Sequence, residues 1–302
     1  MGQKVRILHI SDLHIEELPA RRYVEVEKSL AIATERLITL RPDLVIVTGD
    51  LTTHGSAKTG DLILAKAWLD GLGVPYLAIG GNHDLGANRT RGLDYPETEF
   101  YEALPFQDTG FARLFRTSVV NAVDLGPVEV LTLNIRNGDP DGTIPLLHDR
   151  IREGTKPLLV FGHYPLVNVR EHGVLANFGF NEFIPDSVDR LRDVIASSPR
   201  IKTYGCGHVH VNSVRRLSPG CLQMSAGALG PGSSSYRVLS TDGNRLHYET
   251  FLGGGPLGFW DQLITNFSEN PEYHLGSSWE RSGTFNIQEQ STISSLRHEA
   301  NG

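Results

Sequence analysis

The period of the apolar positions changes within the first forty residues. Lys4 to Ile10 carries Val5, Ile7, Leu8 and Ile10 in a run that stops at the polar Ser11-Asp12, which predicts a short buried strand. From Tyr23 to Leu40 the apolar positions Val24, Val26, Leu30, Ile32, Leu37 and Ile38 recur among charges, a spacing compatible with an amphipathic helix. Asp43 to Val47 then predicts a second buried strand, Asp61 to Leu72 a second helix, and Val74 to Ile79 a third strand. Strand, helix, strand, helix, strand is the order of a mainly parallel sheet with helices on its faces.

Later apolar runs predict strands at Val119 to Val123, Val128 to Leu133, Pro157 to Phe161, Ile201 to Tyr204, Leu222 to Ser225, Tyr236 to Ser240 and Leu246 to Phe251, with one helix at Asp186 to Ser197. Turn signals such as Leu125-Gly126-Pro127 and Thr241-Asp242-Gly243-Asn244 join close neighbours, so these are expected as antiparallel hairpins. After Phe251 the pattern fades. Gly253-Gly254-Gly255-Pro256 opens a polar stretch with scattered Trp260, Phe267, Tyr273 and Trp279. The expectation is one domain over 1–252 and a C-terminal extension over 253–302, packed on the domain by its aromatics and disordered after about Ile287.

Composition narrows what such a chain can be. With 302 residues, 39% hydrophobic and 21% charged, it has the make-up of a soluble globular protein large enough to bury a core without staples. Only Cys206 and Cys221 are available as thiols, so a metal would be held by His, Asp, Glu or Asn. The 28 Lys and Arg against 35 Asp and Glu, a net charge of -7, count against a broad nucleic-acid-binding surface. No apolar run approaches the roughly 20 residues that cross a bilayer, and the opening Met1 to Arg6 lacks a long apolar core, so no signal peptide and a cytoplasmic location are expected.

The chemistry sits where the buried strands end. The first ends in Asp12-Leu13-His14, the second in Gly49-Asp50, and the third in Gly80-Gly81-Asn82-His83-Asp84. The strand at Leu158 to Phe161 ends in Gly162-His163, and that at Ile201 to Tyr204 in Gly205-Cys206-Gly207-His208-Val209-His210. Each fragment alone is a common turn. Five in succession at the carboxyl ends of sheet strands, where open α/β sheets bind ligands, make a site.

The ordered set Asp-X-His, Gly-Asp, Gly-Asn-His-Asp, a lone His and Gly-His-X-His resembles that of the calcineurin-like metallophosphoesterase superfamily, over about residues 4 to 250. Ile10-Ser11-Asp12-Leu13-His14 with Gly49-Asp50-Leu51-Thr52 is most similar to its bacterial cyclic-nucleotide phosphodiesterase-like branch. The resemblance implies a four-layer α-β-β-α sandwich of two mixed β-sheets flanked by helices. It also implies two divalent metal ions, Mn, Fe, Zn or Co, bridged by Asp50, with Asp12, His14 and His210 completing one site and Asn82, His163 and His208 the other. Spacing alone would send His208 and His210 to the same side of an extended chain; the resemblance assigns them to different metals. The implied reaction is in-line attack at phosphorus by a metal-bridging hydroxide.

Family likeness makes His83 the group that stabilises the transition state and protonates the leaving oxygen. Asp84 either orients His83 or caps a turn. His54, Arg89, Arg91 and Tyr164 are weaker candidates for substrate contact, each with a solvated or pocket-wall role as the bland alternative. Cys206 reads as a small buried residue, and His9, His148, His172, His247, His274 and His298 as structural or surface groups. The expected substrate is a small phosphodiester such as a cyclic nucleotide. A phosphomonoesterase or nuclease on the same centre, and a non-catalytic scaffold of the same fold, are the alternatives. The scaffold would be expected to have lost ligands that are all present here. Oligomeric state is open.

Overall fold

The computed structural model describes residues 4–17, 26–85, 104–172, 183–231, 234–252 and 272–288. Among these residues, twelve strands form two six-stranded sheets. In the first, the order is β12 (Ser282–Asn286), β11 (Arg245–Leu252), β10 (Ser235–Thr241), β1 (Val5–Ile10), β2 (Leu44–Thr48) and β3 (Tyr76–Ile79). In the second it is β4 (Val120–Asp124), β5 (Glu129–Leu133), β6 (Leu158–Phe161), β7 (Ile201–Cys206), β9 (Cys221–Ser225) and β8 (Ser213–Ser218). Both sheets are mixed. β1, β2 and β3 run parallel, as do β5, β6, β7 and β9, while the pairs β1–β10, β10–β11, β11–β12, β4–β5 and β8–β9 are antiparallel.

The near-continuous apolar runs of the central strands follow from burial on both faces. In β2, Leu44 and Ile46 face a core shared with Leu159 and Phe161 of β6, whereas Val45 and Val47 face the layer of α1 (Val26–Thr39) and α2 (Thr59–Gly71). β6 repeats this on the other side: its Leu158 and Val160 meet Leu147 of α4 (Thr143–Glu153) and Leu191 and Ile195 of α5 (Val188–Ser197). Helices, sheet, sheet, helices are thus four layers with three cores between them. Each fully buried Leu, Ile, Val or Phe contributes roughly 1.5–3 kcal/mol, and the loops at the carboxyl strand ends are therefore mounted on a rigid frame.

Two strands escape the hydrophobic pattern. β8 is an edge strand whose Ser-Val-Arg-Arg-Leu-Ser sequence carries two arginines, and only its first two residues are buried. β12 comes from the stretch expected as an extension and pairs with β11 at the edge of the first sheet. Two short helical turns precede it, Glu272–Leu275 and Ser278–Arg281. Of the aromatics expected to pack that stretch, Tyr273 joins a small apolar cluster, Trp279 is 54% exposed, and Trp260 and Phe267 lie outside the described residues. No helix among the described residues is long and apolar enough to cross a membrane.

Candidate metal centre

The loops after β1 and β2 continue the parallel pairing past the ends of the strands. Asp12 donates its backbone N–H to Gly49 O (3.0 Å), His14 to Asp50 O (3.1 Å) and Ile15 to Leu51 O (2.9 Å). This holds Asp12, His14 and Asp50 in the left-handed region, at φ 53°, 50° and 48°. His208 and His210, after β7, take φ values of 71° and 56°. Residues other than glycine held there cost of order 1–3 kcal/mol each and persist only when their surroundings over-determine them. Five of the nine such residues among the described ones belong to this one cluster.

The side chains converge. His14 Nε2 and His210 Nε2 are 3.2 Å apart, and His210 Nε2 lies 3.4 Å from Asp12 Oδ1. His163 Nε2 lies 3.3 Å from Asp50 Oδ2 and 3.2 Å from Asn82 Oδ1. Potential ligand atoms fall into the groups Asp12–His14–His210 and Asp50–His163–His208, within 4.8 Å in each, and a third group, His14–Asp50–His83, joins them. His208 and His210 thus serve different groups. Their left-handed backbone removes the alternation that an extended His-X-His segment would impose.

The surrounding residues fit a cation. Both ring nitrogens of His208 are buried with no hydrogen-bond partner, a costly state for an imidazole unless one lone pair is ligated. A Cβ on Gly81 would stand 2.7 Å from His163 Nε2, and one on Gly207 2.6 Å from Asp12 Oδ2, so glycine is what lets these donors close in. Imidazoles with carboxylate and amide oxygens, and no thiolate, make a donor set for a divalent ion.

Electrostatics prepare the donors. Burial, then the neighbouring His83 and His210, hold His14 well below the usual imidazole range; burial, then His163, does the same for His208, so both are neutral with lone pairs available. Burial opposes charge on His163, but the attraction of Asp50 and their hydrogen bond outweigh it and carry the ring up to about 9. Burial likewise opposes charge on Asp50, yet His163 and His83 hold it well below the usual carboxylate range. His163 Nδ1 donates to Thr48 O at 2.6 Å, which aims Nε2 into the site.

His83 is half-buried on the helical turn α3 (Asn82–Leu85); its Nδ1 donates to Thr53 O at 2.8 Å and its ring lies 4.9 Å from that of His14. Asp84 takes the capping role of its two alternatives. Its carboxylate accepts from Leu51 N, Thr52 N and Gly81 N at 3.0 Å each and from Thr52 Oγ1 at 2.7 Å, tying the second and third motif loops together. Burial and the charge of Asp50 push Asp84 up to about 7 against those hydrogen bonds. Tyr164 is buried with its ring edge-on to His163 and His208, a wall of the site. His54 stands outside the three groups, 3.9 Å from Glu16. Arg89 and Arg91 lie outside the described residues.

Sequence reading passed over several contributors. Asn134, fully buried just past β5, accepts from Gly80 N at 2.8 Å and so sets the turn before Asn82. It sits at a strand end like the other motif residues, a signal that was available. Phe183 packs edge-on against His208 at 4.6 Å, a contact without a local signature.

The sequence profile of the calcineurin-like phosphoesterase family matches residues 5–212, which spans every motif above, and the chain belongs to that family. It is a metal-dependent phosphoesterase using divalent ions. Among curated relatives, a probable glycerophosphodiester phosphodiesterase GpdQ of Arcobacter nitrofigilis is 26% identical over 216 residues, covering 68% of this chain and 71% of that one. A probable cyclic nucleotide phosphodiesterase of Synechococcus sp. is 26% identical over 210 residues, covering 68% and 72%. Among solved structures, a dimetal phosphatase from Danio rerio superposes with a TM-score of 0.59 at 13% identity, over 82% of this chain and 96% of that one, a likeness of fold.

Proposed function

We propose that the protein is a dinuclear phosphodiesterase acting on a small anionic diester. In this reading Asp50 is shared, Asp12, His14 and His210 complete one metal site, and Asn82, His163 and His208 complete the other. The observation that carries it is that Asp50, grouped with His163 and His208, is also grouped with His83 and with His14, and His14 in turn belongs to the group of Asp12 and His210. Divalent ions, when bound, supply Lewis acidity toward the phosphoryl oxygens and a more acidic water for in-line attack. Mn, Fe, Zn and Co all suit the donor set.

The chain's own groups do the rest. Neutral His14 and His208 present lone pairs at neutral pH. His83, its Nδ1 proton fixed on Thr53 O, has its ring positioned to hand a proton to the leaving oxygen. Two dications would also turn an acidic protein locally positive, since their +4 exceeds the -2 of Asp12 and Asp50. That favours a small phosphate ester, while the overall charge of -7 disfavours a long polyanion such as a nuclease substrate. The diester preference is supported by the names of the relatives above, which cover cyclic nucleotides and glycerophosphodiesters. A cytoplasmic location is part of the reading and is supported by two unpaired cysteines.

Exhaustive chelation should abolish hydrolysis of bis-p-nitrophenyl phosphate, and Mn²⁺ should restore it; turnover that survives chelation would defeat the reading. A parallel screen of cyclic nucleotides, glycerophosphodiesters and phosphomonoesters should favour diesters, and a monoester preference would defeat that part.

A further inference from the structure

The His208–His210 loop is strained, and the strand ends hold only its start, where Gly207 N donates to His163 O and His208 N to the Asp12 carboxylate. Arg170, seven residues past His163 and 6% exposed, reaches across it. Its Nη2 donates to Asn212 O at 2.8 Å, its Nη1 to Val169 O at 2.8 Å, and its Nε to Tyr273 O. Glu280 Oε1 fixes the guanidinium at 3.0 Å and also accepts from Val214 N, while Glu280 Oε2 is held by Ser277 N and Ser277 Oγ at 2.9 Å each. The Tyr273 ring joins Val169, Val209 and Val211 in one apolar cluster, and Val209 is the residue between the two histidines. A Cβ on Gly276 would stand 2.9 Å from Asn212 O, so the C-terminal chain runs directly along the loop.

We propose that Arg170, locked by Glu280, is a positioning residue for the metal centre. It grips Asn212 O and thereby holds His208 and His210 in register from outside, which makes residues 272–288 part of the frame of the site. The family match ends at residue 212, so Arg170 and Asn212 lie inside the matched region and the Glu280 half of the frame lies beyond it. The proposal rests on the ligand assignment given above for His208 and His210. A planar guanidinium that spreads its donors over carbonyls of three chain segments does what a lysine cannot. Partners that orient a ligand from outside the coordination shell typically change metal affinity by 10- to 100-fold.

The test uses the full chain stripped of metal, titrated with Mn²⁺ by calorimetry, alongside thermal melts without metal. Arg170→Met should weaken at least one Mn²⁺ step by about 10- to 100-fold while keeping the circular dichroism of the parent. The double variant Arg170→Met/Glu280→Met removes the carboxylate left unpaired and should recover melting temperature, yet its Mn²⁺ affinity should stay weak because Asn212 O is still ungripped. Tyr273→Ala, which touches no charge, should weaken Mn²⁺ in the same direction by a smaller factor and serves if Arg170→Met does not fold. Parental affinity in the folded variants, or affinity that returns together with melting temperature in the double variant, would overturn the proposal. His210→Ala is the control: parental Mn²⁺ binding there would sink the ligand assignment itself, whereas loss there with parental binding in the Arg170 and Tyr273 variants sinks only the positioning role.

Discussion

The loops after β1 and β2 and the loop after β7 carry the same burden by different means. Both hold ligand-type side chains on left-handed backbone. The first pair supports itself: backbone N–H groups of one loop bond carbonyls of the other, and Asp84 stitches the third motif loop to the second with three hydrogen bonds and closes its own turn with a fourth. The loop after β7 bonds the strand ends only at its start, through Gly207 N to His163 O and His208 N to Asp12, and beyond that leans on Arg170, Tyr273, Gly276 and Glu280, three of which lie more than 60 residues further along the chain. Strain at a site therefore needs no single kind of support, only enough of it. A loop inside the sheet's own pairing and a loop clamped by a distant segment should fail differently when disturbed.

The largest effect belongs to a change that leaves both supports intact. His83→Ala should retain metal and fold and lose about 10²- to 10⁴-fold in turnover on diesters with poor leaving groups, because it removes the proton donor alone. Loss of metal in that variant would show that His83 props the first pair of loops rather than acting in the chemistry. Next comes Asp84→Ala. It strands three backbone N–H groups and a hydroxyl in the interior, where each unsatisfied group costs about 1–3 kcal/mol before relaxation, so a net loss of about 3 kcal/mol or more is expected in urea unfolding, with metal affinity falling too.

Glu280→Gln should be milder, about 1 kcal/mol near neutral pH, since its amide oxygen still accepts from Arg170. If it matched Asp84→Ala, the contrast between an internally and an externally supported loop would collapse. Its signature is in acid. Burial opposes ionisation of Glu280, but Arg170 and the Ser277 hydrogen bonds hold its carboxyl below the usual 4.5. A carboxyl depressed in the folded state contributes stability above its unfolded value and loses it as pH falls through the folded one. The parent should therefore lose stability more steeply than Glu280→Gln as pH falls below about 4.5; parallel curves would show that the carboxylate contributes nothing.

The two regions also differ in how far the sequence discloses them. Buried runs on β1, β2 and β6 announce themselves because both faces of a central parallel strand are apolar, and their polar terminators Asp12, Asp50 and His163 are visible as interruptions. β8 and β12 do not, because an edge strand with one wet face and two arginines, or the sequence Ser-Gly-Thr-Phe-Asn, has no run to detect. The partition of His208 from His210 depends on backbone angles that spacing cannot reveal. The Arg170–Glu280 contact is invisible for another reason: 110 residues separate its partners, and neither has a local signature.

The position of β1 sets an order of events on the ribosome. Its neighbours are β2, about 40 residues away, and β10, where Val5 faces Thr241. Once made, β1 must wait for about 230 further residues before it has both partners, and contacts of such long sequence separation make folding slow. Until then one edge of β1 remains an open template for wrong partners. Residues 272–288, which complete the sheet and clamp the β7 loop, are made more than 60 residues after His210, so a chain cut before them would keep every motif and lack the frame around it.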